Sequence, residues 1–451
     1  MFIKQIYTSC LSQASYYIES EGEAIIIDPI RDSNLYIDLV KSRNSQVKYI
    51  FETHFHADFI SGHLDLKNIF NAEIVFGSVA QTKYNVLKAK NNQIFNLGLL
   101  KIKVLHTPGH TPESVCYLLY DQNNNQHSVF TGDTLFIGEV GRPDLAISSS
   151  VTEFDLASQL YDSLHNILMK LNDNVVVYPA HGPGSACGKS FSKETFSTIG
   201  EQKKKNYALQ SMSKEQFIKV VLDGMLAPPQ YFSHDAKMNQ EGYQETSKVI
   251  ERNLKKFPIN DLEKEISSGA IILDVRSGQD FEKGFIKNSI NITKTFQSFA
   301  TWVGAVIPVD KNLIIVCYSG EEKEVISRLA RVGYENILGF ITEINNINSN
   351  KIDTLESIYP ENMFSSNFSD AIFLDVRKPM ELETVGKIDR SINIRLQELS
   401  NNLSNLDPEK KYLVYCAGGY RSMIASSILK SHSFKSVYNI YGGFNRMQNF
   451  L

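Results

Sequence analysis

Three observations in the 451-residue chain predict a layered α/β architecture. Short β-branched runs alternate with turns through residues 1 to about 200. A block of about 100 residues then occurs twice in the second half. The length itself is that of about three domains, each large enough to bury its own core.

Taken in order, the runs EAIIIDP, KYIFETH, AEIVFGS, KIKVLHTPGH, SVFTGD and VVVYPAHG are apolar enough for buried strands. Each ends in turn or polar residues, and histidines and aspartates follow them. That is the arrangement expected of function-bearing loops on a layered scaffold. Residues 201–255 change character. KEQFIKVVLDGML reads as an amphipathic helix through Phe217, Val220, Val221 and Met225 and is broken by APPQYF, so the stretch is read as a helical connector. Beyond it, AIILDVR (270–276) recurs as AIFLDVR (371–377) and SINI (289–292) as SINI (391–394). NLIIVCYSG (312–320) likewise parallels YLVYCAGGY (412–420). Duplication of one α/β unit with a parallel sheet explains the matched offsets. The expected domains are 1–245 with the connector, 255–345 and 355–451.

The net charge of −4 comes without a basic stripe, which argues against a nucleic-acid partner. No apolar run reaches transmembrane length, so no membrane partner is expected. The opening MFIKQIYTSCLSQASYYIES lacks the features of a secretory signal. Cys10, Cys116, Cys187, Cys317 and Cys416 are an odd, scattered set, unlike a disulfide framework. A cytoplasmic location fits these features.

The chemistry concentrates in ETHFHADFISGH (52–63). His54, His56 and Asp58 fall at alternate positions, and His110 (HTPGHTP), Asp133 (FTGDTLF) and His181 (PAHGPG) join them downstream. Imidazole and carboxylate serve zinc, iron or manganese, so the residue types alone leave the metal open.

The elements HxHxD, PGHT, GD and AHG, in this order, resemble the metallo-β-lactamase fold over residues 1 to about 200. The resemblance implies an αββα sandwich. Two-metal members of that fold place a histidine directly after the HxHxD aspartate; Phe59 stands there, so one metal is expected. Within the fold the chain most resembles the persulfide dioxygenases. That resemblance implies one Fe(II) per chain on His54, His110 and Asp133, with His56, Asp58 and His181 orienting ligands or accepting protons around it. It also implies oxidation of a low-molecular-weight thiol persulfide by O2 to sulfite and thiol. Arg142 and Asp144, in IGEVGRPDL, either shape the substrate pocket or form a structural salt bridge. The alternative on the same fold is a glyoxalase II-type thioester hydrolase, which ordinarily uses two metals; Phe59 argues against it.

Cys416 opens CAGGYRS, a Gly-containing loop running into a predicted helix. Backbone N–H groups and Arg421 there favour a thiolate and form a cradle for an anion. The Cys-x4-Arg-Ser spacing, the upstream LDVR and YGGF (441–444) resemble a rhodanese sulfurtransferase domain. The resemblance implies a persulfide carried on Cys416, an oxyanion held by Arg421, and sulfite and thiosulfate as partners. Lys387 stands where many rhodaneses have histidine. In the first copy Glu321 and Glu322 follow Cys317 and raise its pKa, so that copy is expected to be catalytically silent, with Cys317 in the core. Cys187, in HGPGSAC, is read either as a catalytic thiol, helped by Lys189, or as structural; Cys10 and Cys116 are read as core. The whole chain resembles the fused enzymes of bacterial sulfide detoxification, which implies a homo-oligomer, dimer or tetramer. A persulfide sensor without turnover is the reading from another class.

Overall fold

The computed structural model describes residues 1–147, 149–189 and 192–451. Two compact units emerge, one built mainly from residues 1–248 and one mainly from residues 249–451.

The first unit stacks two six-stranded sheets. In the first sheet Phe2–Thr8, Gln13–Ser20 and Glu23–Ile27 run antiparallel, and Gln46–Phe51, Glu73–Gly77 and Leu87–Ala89 then add in parallel. The second runs Ser197–Thr198, Val176–Pro179, Gln126–Gly132, Val115–Tyr120, Leu100–His106, Ile94–Leu97. Period-two alternation sorts its side chains between two cores. Ile102, Val104, Tyr117, Leu119 and Phe130 face Tyr16, Ile18, Ile27, Phe51 and Val75 of the first sheet. Leu105, Cys116, Leu118, Val129 and Val177 face outward onto helices that supply Leu160, Leu164, Phe217 and Val221. The product is the αββα sandwich.

All six expected runs are strands, and each hands a polar residue to one end of the sandwich. The 214–226 segment differs in extent and in role. Its helix stops at Leu222, two residues before Gly224 turns into the left-handed region at φ +65°. Phe217 and Val221 are buried in the outer core while Val220 stays exposed. The stretch is therefore a packed layer of the sandwich. A further helix, Phe232–Glu241, has a structural task described below.

The second unit holds two parallel sheets and a two-stranded antiparallel pairing of Phe285–Ile286 with Ile352–Asp353. Ser289–Asn291, Ile271–Asp274, Leu313–Val316 and Ile337–Ile341 form one; Glu356–Ile358, Ser436–Ile440, Lys411–Tyr415, Ile372–Asp375 and Ile392–Asn393 form the other. The repeat extends to individual hydrogen bonds. Arg276 forks onto Asp274 and reaches Gly284 O, as Arg377 forks onto Asp375 and reaches Gly386 O. Asn291 donates to Asp274 O and Arg276 O, as Asn393 donates to Asp375 O and Arg377 O. Before its third strand the first copy runs through the helix Phe299–Val306, where the second has the four-residue helix Leu399–Asn402 between two 3-10 turns. The differing lengths of these connections are why the cysteines do not keep the spacing of the LDVR motifs.

The copies also touch. The helix Tyr420–Ser431 lies on the edge strand Ser289–Asn291, whose Asn291 N–H donates to Ser427 Oγ at 2.9 Å. Phe296 stacks on Tyr420 with centroids 4.0 Å apart.

Candidate functional site

The strand Gln46–Phe51 ends in Glu52–Thr53, and the chain then folds into the loop His54–Ile60, whose side chains are largely buried. Backbone ties fix that loop. Asn239, on the Phe232–Glu241 helix, donates to His56 O and Phe59 O at 2.8 Å and accepts from Ser61 N. Phe55 N donates to Glu113 Oε1, which couples the loop to the HTPGHTPE turn.

His54, His110 and Asp133 come together with one potential ligand atom each, all within 4.8 Å of one another. His110 Nε2 lies 3.4 Å from Asp133 Oδ2, and His54 Nε2 lies 3.9 Å from it. These residues reach one point because each stands just beyond a strand at the same end of the sandwich.

The hydrogen bonds behind them prepare the rings. His110 Nδ1 donates to Arg142 O at 2.8 Å, leaving Nε2 as a lone pair. Gly141 makes that contact possible, because a Cβ there would stand 2.0 Å from Asp133 O and 3.0 Å from His110 Nδ1. Thr53 Oγ1 donates to Asp28 Oδ2 at 2.9 Å and so accepts from His54 Nδ1, also 2.9 Å away. His54 Nε2 is thereby free to bind. Burial, reinforced by neighbouring histidines, pushes His54 well below the usual imidazole range, so the ring is neutral. Both Asp133 oxygens are buried without a hydrogen-bond partner among the described residues. Two imidazoles that present Nε2 and an orphaned Asp133 side chain fit a divalent metal, with positions left for other ligands.

His56 stands apart from that triad. Its Nε2 lies 3.2 Å from Asp28 Oδ1 and 3.4 Å from Glu52 Oε2. Burial opposes its charge, but the two carboxylates push its pKa well above the usual imidazole range. Glu52 also contacts His63 at 3.3 Å. Asp58 Oδ2 and Asp133 Oδ1 lie 3.5 and 3.6 Å from His181 Nε2, whose Nδ1 donates to Ser12 O. Phe59 is fully buried, with its ring centroid 4.4 Å from that of His56 and 6.5 Å from that of His181. A hydrocarbon ring stands where a nitrogen ligand would be needed.

Arg142 forks onto Asp144 at 2.6 and 2.7 Å, the salt-bridge geometry of the two sequence readings. The same guanidinium reaches Ala186 O and Leu226 O, and Arg142 N donates to Cys187 O. Cys187 is thus pinned beside the pocket, 1 % exposed. Lys189 does not activate it. The ammonium turns to Val220 O and Asp223 O, and burial, helped by Asp58 and Asp133, pushes the thiol well above its usual range. Cys116 is core, as expected, and Cys10 is half-buried.

In the second unit Cys416 follows the strand Lys411–Tyr415, and Gly419 N donates to its Sγ at 3.1 Å. Gly418 has open space where a Cβ would be, while a Cβ on Gly443 would meet Cys416 O at 2.4 Å. Phe444 N donates to that same oxygen. Arg421 is clamped by Glu381, Nη1 to Oε2 at 2.7 Å and Nη2 to Oε1 at 2.6 Å. Burial works against the Arg421 charge, and Glu381 and Cys416 more than restore it. Around Cys317, burial first and then Glu322 and Glu321 push the thiol up to about 12. Lys294 pairs with Glu321 and Glu324 there.

Sequence reasoning missed Asp28, Thr53, Asn239 and Glu381. The first two directly flank recognised motifs, as the last residue of EAIIID and the one before His54, and could have been flagged. Asn239 and Glu381 act across large sequence separations and carry no local signal.

No helix among the described residues is long and apolar enough to cross a membrane. The model of the metallo-beta-lactamase superfamily matches residues 8–181, and that of the rhodanese-like domain matches 259–343 and 361–449. A hydroxyacylglutathione hydrolase of Dictyostelium discoideum is 38 % identical over 167 residues, covering 36 % of this chain and 59 % of the relative. The chain thus spans under two thirds of that relative's length. The mouse mitochondrial persulfide dioxygenase ETHE1 (Mus musculus) is 30 % identical over 210 residues, covering 46 % of this chain and 74 % of the relative. The crystal structure of a metallo-beta-lactamase from Staphylococcus aureus subsp. aureus COL superposes with a TM-score of 0.66 at 32 % identity, over 75 % of this chain and 98 % of that one. These relatives divide between a hydrolase and a dioxygenase, but the framework is common to them: the chain belongs to the metallo-β-lactamase superfamily, fused to rhodanese-like domains.

Proposed function

We propose that the first unit is a persulfide dioxygenase holding one Fe(II) on His54, His110 and Asp133, and that Cys416 is a sulfurtransferase nucleophile. Phe59 carries the first half. Thioester hydrolysis on this fold draws on two metals that create and hold a hydroxide, and a phenyl ring withdraws a nitrogen ligand from the second position. Iron(II), when bound, supplies a redox-active centre able to accept O2 and a sulfur ligand together. The chain's own groups do the rest. His110 and His54 are held in the ligating tautomer by Arg142 O and Thr53 Oγ1. The apolar Phe59 wall excludes water from one side. His56, whose charge Asp28 and Glu52 favour, orients the loop, while Asp58 and His181 stand beside Asp133 as orienting groups and proton acceptors. The products are sulfite and the thiol.

In the second unit the Cys416 thiolate attacks the outer sulfur of a persulfide, RSSH. The S–S bond breaks, RSH leaves with the proton, and Cys416 keeps a persulfide anion. Sulfite then attacks that outer sulfur, releasing thiosulfate and the Cys416 thiolate. The Gly419 amide donates to the sulfur, and Arg421 adds positive charge nearby. The first copy, with Glu321 and Glu322 beside Cys317, is read as silent. Linking the two activities keeps sulfite near the sulfur donor at high effective concentration.

The deciding experiment pairs metal analysis of anaerobically purified protein with an oxygen electrode and a low-molecular-weight persulfide. One iron per chain with stoichiometric O2 uptake is expected. Two zinc ions with rapid thioester cleavage would overturn the reading.

A further inference from the structure

Gly418 and Gly419 follow one another in the turn that faces the Cys416 sulfur, so that turn has little stiffness of its own. Gly419, whose N–H donates to Cys416 Sγ, sits in the left-handed region at φ +99°. Support comes from the residues just after it. Ser422 is fully buried, and its hydroxyl lies 2.7 Å from Asn439 Oδ1 and 3.0 Å from Gly419 O. Asn439 Nδ2 donates to Ser357 Oγ at 2.8 Å, and Ser357 Oγ donates in turn to Glu282 Oε1. Ser357 and Asn439 stand opposite each other on the paired strands Glu356–Ile358 and Ser436–Ile440. Glu282 belongs to the first copy. It lies on the helix Gly278–Lys283, and Leu355 N, at the start of the second copy, donates to its backbone oxygen.

We infer that Glu282, supplied by the first copy, is a positioning residue for the Cys416 loop: it fixes the sense of the hydrogen bonds through Ser357, Asn439 and Ser422 that hold the turn at Gly419. A serine hydroxyl carries one proton, and a side-chain amide has one donor end and one acceptor end, so such a chain can run either way. With nothing to accept at the far end, Ser357 turns its proton onto Asn439 and the amide reverses. Ser422 Oγ–H then returns to Gly419 O, in the residue whose N–H meets the sulfur. An ionised carboxylate only accepts, and its presence at the far end forbids that arrangement. Glu282 is half-buried and makes no ion pair among the described residues, so the hydroxyl of Ser357 is its main attachment. Phe296, also from the first copy, stacks on Tyr420 beside the same turn. The first copy thereby has a task in sulfur transfer that needs no chemistry at its own thiol. The inference rests on the reading of Cys416 as a sulfurtransferase nucleophile and adds to it a residue from outside that domain.

The test compares Glu282→Leu with the unaltered full chain. One assay follows iodoacetamide labelling of Cys416 against pH, resolved from the other cysteines by mass spectrometry. The other follows transfer of sulfur from thiosulfate to cyanide, read as thiocyanate. The variant should label Cys416 with its half-point moved to higher pH, because the Gly419 N–H no longer steadies the thiolate. It should lower kcat by roughly tenfold, short of the about 100-fold that an ångström of misplacement can cost. KM for thiosulfate should stay nearly unchanged, since Arg421 is untouched. Ser357→Ala should reproduce both effects, and adding Glu282→Leu to it should change nothing further, because either substitution cuts the same chain. A labelling profile identical to that of the unaltered chain, losses that add in the double variant, or a change confined to the melting temperature overturns the inference. Failure of the sulfurtransferase reading would appear separately, as unaltered protein that labels at Cys416 yet yields no thiocyanate.

Discussion

Replacing Thr53 by valine keeps the shape at the base of the metal loop and removes one hydroxyl. That hydroxyl donates to Asp28 Oδ2 and accepts from His54 Nδ1, both at 2.9 Å, in a fully buried setting. Thr53→Val therefore orphans one acceptor and one donor. Each costs roughly 1–3 kcal/mol of stability, less whatever a penetrating water recovers. The second effect is on the metal. With no acceptor at Nδ1, the His54 ring loses the contact that fixes its tautomer and orientation. The loss of such a partner weakens metal binding by about 10–100-fold, or about 1.4–2.7 kcal/mol. Anaerobic competition of Fe(II) against a chelator measures this term, and thermal melting measures the first. A variant with lowered melting temperature but wild-type affinity would show the hydroxyl to be a packing contact only. Unchanged values in both assays would refute the assigned hydrogen-bond directions.

Cys416→Ser should leave O2 uptake nearly intact while the product shifts from thiosulfate to sulfite, read by ion chromatography; equal loss of both would contradict the division of labour. Burial pushes the Glu381 carboxyl up, but Arg421 more than reverses this and holds it below the usual range. Its contribution is therefore present above the ordinary glutamate pKa of about 4.3 and is lost as pH falls through the lower folded value. Sulfurtransferase activity should show that acid limb, and Glu381→Gln should lower the rate at neutral pH while abolishing the limb; a variant with the same profile would remove Glu381 from the site. Gly443→Ala, at φ +57° with Cys416 O in the way, should cost about 1–3 kcal/mol in thermal melting. Gly418→Ala, which meets nothing within 4 Å, should stay within about 0.5 kcal/mol, and equal losses would undo the geometric argument.

The parts legible in the sequence were those written locally. Strand-forming runs followed by histidine or aspartate gave both the sandwich and the gathering of His54, His110 and Asp133, because residues that leave parallel or adjacent strands at one end must converge. The duplication was legible because its motifs serve the same hydrogen bonds twice. Other features depended on distant contacts. The helix expected over 214–226 ended early, at Leu222, and its segment joined the core through Leu160 and Leu164, partners that no local periodicity identifies. Lys189 is close to Cys187 in sequence yet bonds Val220 O and Asp223 O, since a flexible ammonium goes to whatever carbonyls the fold presents. Glu381 was invisible because its meaning arises only when the loop arginine arrives from 40 positions away.

The contact between Asn291 and Ser427 has a bearing on how the chain tolerates truncation. Ser289–Asn291 is a lateral strand, and its outward N–H groups would template the pairing of foreign strands if left bare. The Tyr420–Ser431 helix covers that edge, so the first copy relies on the second to shield it. A product that stops before residue 355 would be expected to self-associate through this margin, which gives selection a structural reason to retain both copies.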